Sequence, residues 1–130
     1  MLATNDDRYC LARNTGSRES RVTHRGREFV MRPGSMALLK LDEPFFAADG
    51  MNEKRFTNVH LPMATLRALA PGVDDLVARE LEPGGALSLA MDYSDLLLRH
   101  PGAVDEAGFA IASHLMDLAA LGLGARGDVA

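Results

Sequence analysis

Four histidines, one cysteine and a set of arginines are the chemical equipment of this chain, and their spacing excludes most reactions. No two of His24, His60, His100 and His114 lie within three residues of each other. An open metal site needs two imidazoles and a carboxylate converging on one ion. His24 and Glu28 flank a short hairpin and could meet across it, with His60 as a third ligand, but nothing in the spacing requires this and no metal site is expected. Ser94, Asp95 and His100 supply the residue types of a hydrolytic triad, yet they fall on one helical stretch with no nucleophile elbow. There is no phosphate loop and no dinucleotide fingerprint. The lone Cys10 excludes an internal disulfide and a multi-cysteine zinc site, and it reads as a small buried hydrophobe. The expectation is a chain with no catalytic residues, no metal and no cofactor: not an enzyme.

The elements that hold these residues change character at Pro62. Before it the chain reads as short strands over 8–14, 21–24, 28–32, 36–41, 45–48 and 56–61. In the first strand Tyr9, Leu11 and Arg13 share one face, and Cys10 and Ala12 share the other. Arg25-Gly26-Arg27 and Arg32-Pro33-Gly34-Ser35 reverse the chain twice within 18 residues, which reads as a β-meander. Pro33-Gly34 suits the centre of a type II turn. The run Met36-Ala37-Leu38-Leu39-Lys40-Leu41 hardly alternates and suits a strand covered on both faces. Asp49-Gly50 reads as a further turn.

After Pro62 the pattern is helical: 63–70, 74–81, 86–99 and 105–121. Asp105 and Glu106 are placed at the positive end of the last helix. That helix is apolar over more than one face. Phe109, Ala112, Met116 and Ala119 line one side, Ile111, Leu115 and Leu118 the adjoining side, and the polar strip is only Ser113, His114 and Asp117. A surface helix needs an apolar face little more than 100° wide. The excess calls for burial in its own domain or against a partner.

At 130 residues and 47% hydrophobic, the chain supports one domain with a sizeable aliphatic core. Residues 1–60 hold 10 basic and 8 acidic side chains, against 4 and 10 in residues 61–130. The acidic helical half is a poor surface for nucleic acid. Neither a signal peptide nor a membrane-spanning segment is expected, and the single cysteine suits a reducing, cytoplasmic setting.

The ordered set Gly26-Arg27-Glu28, Arg32-Pro33-Gly34-Ser35-Met36-Ala37-Leu38-Leu39, Pro44 and Val59-His60-Leu61-Pro62 resembles the sensor domain of AraC-type transcription regulators. The resemblance covers about residues 8–122 and implies an α+β fold: a partial, antiparallel cupin-like β-sandwich or barrel followed by a C-terminal helical segment. It implies a cupin-like β part over 1–61, a helical dimerisation part of the same domain over 62–124 and a flexible tail over 125–130. The function implied is signal sensing and dimerisation for a transcription regulator, with a small cupin-like metal-binding protein or enzyme as the alternative. Cupin metal sites use two closely spaced histidines, a pattern this chain lacks. A small-molecule effector would lie between the sheet faces, with Tyr9, Arg13, His24 and Phe46 as lining residues by type. Homodimerisation would use Ile111, Leu115 and Leu118 on the last helix. The helix-turn-helix pair and several early strands of that family have no counterpart here, so the chain reads as a truncated form or fragment with an open sheet edge that does not bind DNA alone.

Overall fold

The structure, a computed structural model, describes residues 7–48, 55–82 and 84–125. The chain runs β1 (Arg8–Asn14), β2 (Ser20–His24), β3 (Arg27–Met31), β4 (Met36–Lys40), β5 (Phe45–Ala47), β6 (Phe56–Pro62), α1 (Met63–Leu69), a 3₁₀ turn (Val73–Leu76), β7 (Glu80–Leu81), α2 (Gly85–Leu98), α3 (Pro101–Ala120) and a π turn (Leu121–Ala125). The expected Asp49-Gly50 turn and residues 126–130 of the expected tail lie outside the described residues.

Two antiparallel sheets form, in the orders β6-β1-β4-β7 and β3-β2-β5. They face one another as an open sandwich, not a closed barrel, and the helices cover the outer face of the first sheet. The alternation expected in β1 is what builds these layers. Tyr9 and Leu11 point toward the helices, where they join Met36, Leu38, Leu61, Leu66, Leu87, Met91 and Ala119. Cys10 and Ala12 point between the sheets, where they join Val22, Met31, Ala37, Leu39 and Phe56. The strand β4 is buried on both faces, as its unbroken apolar run requires.

The β-meander expected over 22–39 does not form. β2 and β3 do pair, through a two-residue turn in which Arg25 (φ 54°) and Gly26 (φ 76°) are both left-handed. That primed turn has the twist a hairpin needs. The next turn is of the other kind. Gly34 sits at φ 87° and the Ser35 N–H donates to the Arg32 carbonyl at 2.9 Å, the type II geometry its sequence predicts. Type II turns splay the strands they join. β4 therefore leaves β3 and crosses to the other sheet, between β1 and β7.

Two helical expectations are also corrected. Residues 74–81 do not form a helix: the 3₁₀ turn ends at Leu76, and Ala78, at φ 65°, donates its N–H to the Leu38 carbonyl at 3.0 Å. Backbone pairing with β4 displaces helical bonding there, and Glu80–Leu81 extend the sheet. The first sheet thus draws on residues beyond the expected boundary at 61. The last helix begins at Pro101, not Asp105, and bends at Ala107 (φ −131°, ψ 30°). Asp105 and Glu106 therefore precede the bend rather than occupying the first turn. The C-terminal end of α3 is tied down by close approach: a Cβ on Gly122 would lie 2.8 Å from the Leu87 backbone nitrogen.

Asn14 is the polar pin of the β layers. It is fully buried, its amide donates to the Arg18 and Met31 carbonyls, each at 2.9 Å, and its oxygen accepts from the Gly16 N–H at 2.9 Å. Its backbone bonds to Ser35 and Gly34 in the β3–β4 turn. Asn14→Ala is expected to destabilise the fold by about 3 kcal/mol, since buried partners lose their hydrogen bonds. Urea unfolding measures this, with the midpoint falling and the slope unchanged.

Candidate functional site

The four residues expected to line one pocket point in different directions. Tyr9 lies under the helices. Its hydroxyl donates to Asp74 and accepts from Arg67 Nε at 2.9 Å, while the Arg67 guanidinium sits 5.7 Å from the ring centroid. Burial first, and then the hydrogen bond to Asp74, push the Tyr9 phenol up to about 12. Burial alone would raise the Asp74 carboxyl, but the Tyr9 hydrogen bond and the Arg67 charge outweigh it and hold Asp74 below its ordinary value. Arg13 points the same way one end further on, to Asp92 at 2.7 Å and to Asp95 on α2, and Asp95 also accepts from Thr57 Oγ1 at 2.7 Å. Both residues tie the sheet to the helices. Neither faces the space between the sheets.

His24 does face that space. Its Nε2 accepts from the Lys40 N–H at 3.0 Å. Its Nδ1 must then carry the proton, donated to the Pro44 carbonyl at 2.9 Å. Two backbone groups occupy both ring nitrogens, so the ring is a structural wedge. Burial lowers its pKa, and the Pro44 hydrogen bond only partly offsets this. Phe46 is 67% exposed on the outer side of β5. It shares a shallow groove with His24, Pro44 and Phe45, of about 380 Å³. The inter-sheet space itself is filled by the small and aliphatic side chains named above, with the Ser20 hydroxyl the one buried side-chain oxygen without a partner among the described residues. Tyr9 and Arg13 were chosen by residue type, and the face assignment already separated them from Cys10 and Ala12. The same alternation, applied to where the helices must pack, would have removed them from the pocket.

The other chemical candidates do not assemble. His24 points inward, whereas Glu28 is exposed and lies 3.6 Å from Arg21, and the ring of His60 bonds Arg8 at 2.9 Å. Among the described residues no group of three potential ligands could hold a metal ion. Burial pushes the Cys10 thiol up to about 12, far from thiolate chemistry.

An apolar opening lies between α2 and α3. It measures about 660 Å³ and is lined by Leu89, Tyr93, Leu96 and Leu118, with Asp92, His114 and Asp117 at its edges. Leu89 is 55% and Leu96 46% exposed. The three residues expected to mediate self-association divide. Leu118 lines this groove, Leu115 lines a second one of about 440 Å³ against β6 and α1, and Ile111 is half-buried. Sequence reasoning missed Leu89, Tyr93 and Leu96, which repeat at helical spacing on α2. By length and composition α3 with the following turn could also cross a membrane, at mean hydropathy 1.4, whereas the sequence reading expected no such segment. Ala119, Ala120 and Leu123 at its end are packed in the core.

No protein-family model matches the chain, and no curated protein matches it by sequence. Among solved structures, the crystal structure of the AraC-like transcriptional activator CuxR is similar, with a TM-score of 0.68 and 17% identity over 90% of this chain and 42% of that one. The chain therefore spans less than half the length of that protein. At this identity the likeness is one of fold: an AraC-like arrangement of two antiparallel sheets and helices.

The His24 environment has a consequence for stability. The ordinary value of 6.5 holds in the unfolded chain, while the folded ring stays neutral to lower pH. Below 6.5 the unfolded state binds the extra proton, so stability is full above that pH and falls as pH drops toward the folded value. Urea midpoints measured from pH 7.5 down to about 5 should decline from roughly 6.5 onward. The decline should be flatter in His24→Gln, which has no proton to bind.

Proposed function

We propose that the chain is the signal-sensing and dimerisation part of an AraC-type transcription regulator, working in the cytoplasm. In that reading β1 to β7 act as the β part and α1 to α3 as the helical dimerisation part. The observation that carries the reading is an AraC-like fold whose α2–α3 surface is apolar and uncovered. Leu89 and Leu96 on α2 line that groove at 55% and 46% exposure and are costly to leave in water. A second copy offers the same surface in reverse, which is what a two-fold interface requires. The ties from Arg13 to α2, and from Tyr9 through Asp74 and Arg67 to α1, give the sheets a rigid path to the helices. Through that path a small molecule held by the sheets would bias how two copies associate.

Sedimentation velocity tests the interface. The chain is expected to sediment as a dimer, and Leu118→Glu, which puts a charge in the α2–α3 groove, is expected to shift it to monomer. Leu115→Glu lies on the opposite groove and should have the smaller effect. A wild-type chain that is monomeric at high micromolar concentration would remove the dimerisation reading.

A further inference from the structure

A polar cleft of about 420 Å³ opens where the β2–β3 hairpin meets the segment leading into β7, lined by Arg25, Arg27, Asp74, Asp75, the 77–78 backbone region and Arg79. The fold forces these arginines together from two different sheets. The left-handed turn at Arg25-Gly26 carries Arg25 and Arg27 to the hairpin tip. Arg79 is fixed from the opposite wall by its neighbours. Ala78 is pinned to the Leu38 carbonyl, and Glu80 accepts from the Arg32 N–H at 2.8 Å and from Arg32 Nε at 3.0 Å.

The charges in the cleft are unevenly compensated. Arg25 Nε lies 3.2 Å from Glu43. Asp74 is engaged by Tyr9 and Arg67. Among the described residues Arg27 and Arg79 have no ion pair or hydrogen-bonded partner, and only Asp75 opposes them from within the cleft. Guanidinium forks match the geometry of carboxylate and phosphate oxygens. Asp75 adds an acceptor that suits a hydroxyl or ammonium beside those oxygens.

We propose that this cleft binds a small oxyanion, a phosphate or carboxylate group with an adjacent hydrogen-bond donor, held by Arg27 and Arg79. The ligand bridges the hairpin of one sheet and the β7 edge of the other, so it stabilises the open sandwich as it binds. The site is separate from the space between the sheets and from the α2–α3 groove. It does not depend on the oligomeric state.

Thermal unfolding and calorimetric titration of the full chain with sodium phosphate and with sodium lactate, against sodium chloride at matched ionic strength, test it. The expected result is a saturable rise in Tm with phosphate, lactate or both, and none with chloride. The anion that saturates at lower concentration identifies the group preferred. Arg27→Gln and Arg79→Gln should each weaken binding at least about tenfold, which is the loss of one charge-assisted contact, while Arg18→Gln on the far turn should not. The Leu118→Glu variant should bind as the wild type does, so loss of self-association and loss of anion binding are read separately. Equal shifts with chloride, no saturation with either anion, or unchanged affinity in the Arg27→Gln/Arg79→Gln double variant would overturn the proposal.

Discussion

The structure depends on one strand being buried on both faces. β1 lies between two hydrogen-bonded neighbours, and it also lies between two cores. Large side chains, Tyr9 and Leu11, go to the helical side, where the gap is wide. Small ones, Cys10 and Ala12, go to the inter-sheet side, where the second sheet approaches. A shift of one residue in register would exchange these sets and place Tyr9 in a space sized for Ala12. β4 carries the same constraint in register, Leu38 opposite Leu11 and Ala37 opposite Ala12. The short turns, the primed hairpin and the type II crossover then follow from the need to wrap a second sheet over that strand.

Polar groups on the helical side serve the same layer. Arg13, with Asp92, Asp95 and Thr57, and Tyr9, with Asp74 and Arg67, are part-buried clusters in which every charge has a partner. Their net contribution to stability is modest, because desolvation consumes much of the attraction. Their effect is positional: they set where α1 and α2 lie on the sheet. The same residue types that suggest ligand recognition therefore fix the helices, and the helices in turn set the outline of the α2–α3 groove. The charges of Arg27 and Arg79 form no ion pair among the described residues and share their cleft with Asp75.

The last helix shows the limit of a hydrophobic pattern. Its breadth of apolar surface called for burial within the domain or against a partner, and within this chain only its end is buried, at Ala119 and Ala120, beside Gly122 and Leu123. The bend at Ala107 next to Gly108 separates the Pro101 end from the packed part. Phe109 follows the bend and projects into solvent. That combination leaves an apolar part of the helix in water.

Local chemistry is legible in the order of the residues alone. The alternation in β1, the doubly covered β4, the Gly34 turn and the change to helices after Pro62 all follow from side-chain size and backbone preference acting over a few residues. What the chain does with those elements is not legible there. Whether β4 pairs with β3 or crosses to β1, whether residues 77–81 bond along a helix or across to β4, and whether Tyr9 and Arg13 meet a ligand or a helix are settled by partners far away in sequence. Local propensities are nearly balanced at those points. The area buried against a distant surface tips them, and only the assembled layers supply that surface.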